Sequence, residues 1–262
     1  MSNIKIHPQA IVSDQAKLHP SVQVGPWSWI GPEVEIAENC VIGPHVIIKG
    51  PTKIGANNRF YQFSSIGEDC QDLKYAGERT FLEIGAGNIF REYVSVHRGT
   101  AQDHALTKIG DYNLFITGSH VAHDCVIGNH CIIGHHVGLA GHVHVDDYAI
   151  LGGYVAVHQF CRIGTHTFLG GNVALVKDLP PYMLAALDGG DTRVISINAV
   201  GLRRRGLTEE DILMLKRAYK VLYRQDLTID AAVAELQVLA KKNSHIQPLI
   251  DFVNQATRGI LR

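Results

Sequence analysis

Eleven of the fifteen histidines in this 262-residue chain fall between His97 and His166, and several stand in short runs with an acid or a glycine. The runs are His120-Val121-Ala122-His123-Asp124-Cys125, Ala140-Gly141-His142 and Ala156-Val157-His158-Gln159. An imidazole titrates near neutral pH and can take a proton from a reacting group. Asp124, adjoining His123, can fix its tautomer and support the imidazolium that forms. The N–H of Gly141, unobstructed by a side chain, can donate to a developing oxyanion. A base beside an oxyanion donor is the minimum kit for acyl transfer to an alcohol, with no Ser or Cys nucleophile required. Cys125 has no activating base of its own and reads as packing. Most histidines on a solvated strand have no role, so the case rests on their clustering.

The residues that must position this kit follow a six-residue beat. Apolar side chains recur at Ile6, Val12, Leu18, Val24 and every sixth residue to Ile66, again at Ile84, Phe90 and Val96, and from Ile109 every sixth residue to Leu175. Many are followed by glycine, as at Gly25, Gly55, Gly128 and Gly152. Six matches neither a helical turn nor simple alternation. It suits one short strand plus a corner, and three such units close a triangular coil of 18 residues. The apolar residue points inward, and the glycine after it permits the turn. This predicts a parallel β-helix over residues 1–180, roughly 40 Å tall at about 4.8 Å per coil.

Eighteen then acts as a ruler. With Val121, Leu139 and Val157 stacked, His123, Gly141 and Gln159 share one column, Asp124 and His142 the next, and Ala140 and His158 a third. His120 and His144 fall near the corners of that face. Zinc is a rival use of these rings. The spacing of His130 and His135 is ligand-like, but the ruler puts them on different faces, so a shared ion would need a second subunit; the expectation is no metal.

Two stretches break the beat, 68–83 and 98–108, and both read as loops extruded from the coil, where function often sits. Beyond Leu175 the character changes. Asp178-Leu179-Pro180-Pro181 is a stop, and residues 181–262 read as a linker and a helical domain. Thr208 followed by Glu209, Glu210 and Asp211 caps a first helix, Thr228 opens a second, and a third starts near 245. The Arg203-Arg204-Arg205 cluster on its own reads as a solvated face.

Net charge is −1 and hydrophobic residues make up 46% of the chain, which argues against disorder and against a nucleic-acid partner. No apolar run is long enough to span a membrane, and no signal peptide opens the sequence, so a cytoplasmic location is expected. Five unpatterned cysteines agree with a reducing compartment.

Together, the hexapeptide run, Gln71-Asp72-Leu73-Lys74-Tyr75-Ala76-Gly77-Glu78, His97-Arg98-Gly99-Thr100, the three histidine runs and Gly201-Leu202-Arg203-Arg204-Arg205-Gly206 resemble the UDP-N-acetylglucosamine 3-O-acyltransferases that open lipid A biosynthesis in Gram-negative bacteria. The resemblance covers essentially the whole chain. It implies a left-handed β-helix, a homotrimer with sites between adjacent prisms, an (R)-3-hydroxyacyl donor on acyl carrier protein, a UDP-sugar acceptor and no cofactor. It implies His123 as general base, Asp124 as its partner and Gly141 as oxyanion donor. Asp72, Lys74, His97, His120, His142, His158 and Gln159 would line the substrate cleft. Asn198, Arg204 and Arg205 would hold the nucleotide end, where arginine suits a diphosphate. Gly171, with Phe168 and Leu169, would measure the acyl chain, and a glycine there leaves room for a longer tail. Two departures stand out: residues 186–193 look longer than the usual loop and lack its histidine, and Val200 stands where a glutamate can occur. Arg203, Lys216, Arg217, Lys220 and Arg224 are candidate contacts for the acidic carrier. The alternatives are a zinc-dependent carbonic anhydrase on the same prism and the related N-acyltransferase, whose extra domain before the prism finds no counterpart ahead of Ile6.

Overall fold

The computed structural model describes residues 5–262; residues 1–4, where the predicted 1–180 unit begins, lie outside the described residues. Three parallel sheets of nine, eight and ten strands form the walls of a prism, because each strand pairs with the one a coil away and not with its sequence neighbour. The first sheet runs from Ile11–Val12 to Ala174–Leu175, the second from Lys17–Leu18 to Arg162–Ile163, and the third from Gln23–Val24 through Phe168–Leu169 to a terminal hairpin. The coil is a left-handed parallel β-helix, against the usual right-handed crossover. From Val24 to Leu175 every residue on the six-residue beat is buried, and Phe60, Phe90 and Phe115 stack along the axis with centroids 4.7 Å apart.

The corners work differently from the sequence expectation. The left-handed backbone that makes each turn belongs not to the glycine after the inward residue but to the residue two further on, such as Asn57 (φ 60°), Tyr112 (φ 57°) or His142 (φ 61°). The glycine answers a different need. A Cβ on Gly55 would stand 2.7 Å from the carbonyl carbon of Gly85 in the next coil, so at this position only glycine fits. Left-handed residues at one corner form ring columns: Tyr112, His130, Tyr148 and His166 stack at 4.8–5.2 Å. His130 is thus covered on both faces, while His135 packs edge-on to Tyr154 at another corner, as the ruler implied.

The three sheets present different outer columns. The second carries Lys17, Glu35, Lys53, Glu83 and Lys108 in register, an alternating charge ladder. The third carries Ile89, Leu114, Ile132, Ile150, Phe168 and Leu184, an apolar stripe.

Both loops leave at the same corner, between the first and second sheets, in successive coils. They are shorter than predicted, because Glu68 and Phe81–Glu83 stay in strands, as do Leu106–Lys108. Residues 69–80 separate Ser65–Glu68 from Phe81–Ile84, and residues 98–105 separate Ser95–His97 from Leu106–Ile109. Each time the coil returns in register: Ile66 pairs with Val96, and Val96 with Val121.

The stretch expected as a linker is partly β. Met183–Asp188 and Asp191–Ile197 form an antiparallel hairpin turned by Gly189 and Gly190, and Leu184 pairs with Phe168, so the third sheet continues beyond residue 180. Helix α1 (Ala199–Arg204) follows, unforeseen because it is only six residues long. The predicted helices are α2 (Glu209–Tyr223), with a capping box from Thr208 and Asp211, α3 (Ile229–Ala240), capped by Thr228, and α4 (Gln247–Gln255). Among the described residues no helix is long and apolar enough to cross a membrane.

Candidate active site

The corner between the first and second sheets gathers the residues of the predicted kit. His123 and Asp124 follow Val121, Gly141 and His142 follow Leu139, and His158, Gln159 and Phe160 follow Val157, each set one coil above the last. His123 donates from Nδ1 to Asp124 Oδ2 at 2.9 Å, which leaves Nε2 with its lone pair free. Asp124 is nearly buried, yet its carboxylate is satisfied: the Thr100 N–H donates to Oδ1 at 2.9 Å and the Thr100 hydroxyl to Oδ2 at 2.6 Å. Gly141 lies directly against the imidazole. A Cβ there would stand 2.4 Å from His123 Cε1 and 2.6 Å from Nε2. Among the described residues nothing accepts a hydrogen bond from the Gly141 N–H, so the donor is available beside the base. His142 stands edge-on to His123, with centroids 5.0 Å apart, and lies flat on Phe160 at 4.4 Å.

The loops supply groups that sequence reasoning missed. Thr100 and Asp103 both lie where the beat stops, so no spacing in the sequence points to either. Asp103 Oδ2 accepts from His142 Nδ1 at 2.8 Å. Arg98, nearly buried, donates to the Gly67 carbonyl, the Asp69 carboxylate and, at 3.4 Å, the Tyr75 hydroxyl, so the root of one loop holds the other. Asp72 accepts from the Lys74 N–H at 2.9 Å, a turn that leaves the Lys74 side chain exposed on the loop.

On the first sheet, His97 from the coil below meets His120 from the coil of His123 edge-on at 4.9 Å, and the Ser95 hydroxyl bonds His120 Nδ1 at 2.8 Å. Burial, with help from neighbouring imidazoles, lowers His120 and pulls His97 down to about 4, so both stay neutral near pH 7. His144 projects from the second sheet, beyond the corner. Burial pushes the Cys125 thiol up to about 12, consistent with a packing role.

The remaining predicted residues sit elsewhere. Asn198 caps α1 through Gly201 and donates to the His166 carbonyl, and Arg205 lies over the Tyr148 ring at 4.6 Å, so both belong to the corner between the second and third sheets. Arg204 is exposed on the last turn of α1, and Val200 is exposed on its first. Gly171 is exposed at the third corner beside Gly153. Leu169 needs correcting: its side chain is wholly inside the prism core and cannot line an external groove, whereas Phe168 faces outward. Of the candidate carrier contacts, Arg203 is occupied by Glu209 at 2.5 Å and Arg224 by Tyr219.

His123, Asp124 and His142 also bring one ligand atom each within 4.8 Å, close enough for a cation. A cation there would have to compete with the three hydrogen bonds that the Asp124 carboxylate already accepts.

A left-handed β-helix with an imidazole–carboxylate pair over a glycine at one corner defines a hexapeptide-repeat transferase. A model of such repeats, described as bacterial transferase hexapeptide, matches residues 106–141, and a second, described as UDP-N-acetylglucosamine O-acyltransferase domain 2, matches residues 178–261. The acyl-[acyl-carrier-protein]–UDP-N-acetylglucosamine O-acyltransferase of Stutzerimonas stutzeri is 51% identical over 82% of this chain and 82% of that protein. The enzyme of the same name from Pseudomonas paraeruginosa is 54% identical over 78% of this chain and 79% of its own. Among solved structures, the UDP-N-acetylglucosamine O-acyltransferase of Moraxella catarrhalis superposes with a TM-score of 0.96 at 43% identity, covering 99% of this chain and 100% of that one. The Francisella novicida UDP-N-acetylglucosamine acyltransferase gives a TM-score of 0.88 at 40% identity, covering 98% and 94%. The chain belongs to the UDP-N-acetylglucosamine O-acyltransferase family.

Proposed function

We propose that the protein transfers an (R)-3-hydroxyacyl group from acyl carrier protein to the 3-hydroxyl of UDP-N-acetylglucosamine, the opening step of lipid A biosynthesis. The observation that carries this reading is the His123–Asp124 pair packed against Gly141. His123 Nε2 takes the proton of the sugar hydroxyl as its oxygen attacks the thioester carbonyl. The oxyanion of the tetrahedral intermediate accepts from the Gly141 N–H. Collapse expels the carrier's thiolate, which takes the proton back from the imidazolium. Asp124 keeps Nδ1 protonated throughout. The buried Cys125 thiol, pushed up to about 12, agrees with direct attack by the sugar hydroxyl.

The working form is proposed to be a homotrimer in the cytoplasm. His123 and Arg205 lie at different corners of one prism, so a diphosphate-linked sugar held by Asn198, Arg204 and Arg205 would reach His123 of a neighbouring copy. The apolar stripe of the third sheet, unlike the charge ladder of the second, suits contact between prisms. Lys74, Asp72, His97, His120, His158 and Gln159 are assigned to the sugar and donor ends of that cleft. Phe168 and Gly171 are assigned to the acyl groove.

Replacement of His123 by Ala tests the assignment. Transfer from acyl carrier protein should fall by about 10²–10⁴-fold, the usual worth of a general base. Activity within a few fold of the parent would overturn it.

A further inference from the structure

Loop 98–105 does more than brace Asp124. Its Asp103 reaches across the corner to a different ring, accepting from His142 Nδ1 at 2.8 Å. His142 is held on two other sides as well: flat on Phe160 at 4.4 Å with 8° between the planes, and edge-on to His123. Stacking fixes the plane of a ring but not its rotation within that plane or the position of its proton. A carboxylate on one ring nitrogen fixes both, since it accepts only from a protonated nitrogen. With Nδ1 turned to Asp103, His142 Nε2 faces inward, 3.9 Å from Asp124 Oδ2 and beside His123. The corner therefore contains two carboxylate–imidazole pairs, Asp124 with His123 and Asp103 with His142, on adjacent coils.

We propose that Asp103 is a positioning residue that sets the tautomer of His142, so that Nε2 presents a lone pair to the hydroxyls and amide of the bound sugar. This deepens the acyl-transfer reading and rests on it only for what His142 meets. The Asp103 side chain is about one-third exposed (31%) on a surface loop, so replacing it leaves the prism core untouched. Without the carboxylate, His142 is free to put its proton on Nε2, the tautomer that imidazole prefers in water, and would then present a donor where an acceptor is needed.

Two measurements on the full chain test this. Long-range ¹H–¹⁵N correlation on histidine-labelled protein, with the His142 signal identified by its loss in His142→Gln, should show Nδ1–H in the parent. Asp103→Ala should move that signal toward the Nε2–H form, and Asp103→Asn, whose carbonyl still accepts, should keep it. In parallel, kcat/KM for the UDP-sugar should fall about tenfold in Asp103→Ala and return to within about threefold in Asp103→Asn. An unchanged tautomer in Asp103→Ala overturns the proposal whatever the kinetics, and so does an equal kinetic loss in the Ala and Asn variants. The spectroscopic arm uses no substrate, so it stands if the acyl-transfer reading fails; inactive His123→Ala beside an unchanged His142 signal would sustain that reading and sink this one.

Discussion

A single methyl group on Gly141 would stand 2.4 Å from Cε1 of the His123 imidazole. Real carbons do not approach so closely, and the Gly141 backbone is not left-handed, so the constraint at this position comes from the ring and not from the chain. Gly141→Ala should therefore fold as the parent does but swing His123 away from the Gly141 N–H. Turnover is expected to fall by about 10²-fold or more, because base and oxyanion donor lose their alignment together. Steady-state assay beside a thermal melt checks this; full activity with an alanine in place would show that the contact is immaterial.

Thr100 should matter through Asp124. Thr100→Val removes the hydroxyl that donates to Oδ2 at 2.6 Å but keeps the N–H to Oδ1. A hydrogen bond to a buried carboxylate is worth about 1.5–3 kcal/mol, so a lower melting temperature and about tenfold lower kcat should appear together. Thr100→Ser, which restores the donor, should recover most of both. A valine variant with parental kcat would show that Asp124 needs no such brace.

Acid should loosen the protein through its buried imidazoles. His97 sits at about 4 in the fold against roughly 6.5 in an unfolded chain, mainly because burial disfavours its charge. His120, His144 and His166 are shifted the same way, again mainly by burial. The unfolded chain therefore binds protons first as pH falls. Stability is fully present above about 6.5 and is lost toward 4, with His97 alone contributing roughly 2–4 kcal/mol. Melting curves from pH 7.5 to 4.5 should show this decline, and His97→Asn should flatten it. A melting temperature that stays level over that range would contradict the assignment.

If the cleft spans two copies, defects at separate corners should complement. Chains carrying His123→Ala and chains carrying Arg205→Ala, each nearly inactive alone, should form mixed trimers with measurable activity, because some clefts then pair an intact His123 with an intact Arg205. Co-expression with distinct tags, purification over both and assay would detect it. No recovery in verified mixed trimers would place both groups in one copy's site.

Much of this was legible in the sequence because a solenoid translates spacing directly into height. His123 over Gly141 and Asp124 over His142 follow from counting eighteen, since every coil between Ile109 and Leu175 keeps the same length. Legibility failed where the count fails. Thr100 and Asp103 lie in a loop whose path no period dictates, so their bonds to Asp124 and His142 appear only in three dimensions. The hairpin at 183–197 was hidden for another reason: its strands pair antiparallel, and Asp188-Gly189-Gly190-Asp191 reads equally well as a linker. Leu169 lies near Gly171 in sequence, yet the strand's alternation turns Leu169 inward and Phe168 outward.

The in-register return of the coil after each loop has a consequence for how such a molecule can change. Residues 69–80 and 98–105 alter nothing in the pairing of Ile66, Val96 and Val121. The prism behaves as a socket, and these two segments as exchangeable fittings plugged into it, with Arg98 tying the first segment to the root of the second and Thr100 tying the second to Asp124. Lengthening or rewriting them would leave the socket's threads intact. Diversification can thus proceed beside the reacting groups, where it alters what enters, without renegotiating the architecture that keeps His123 and Gly141 in step.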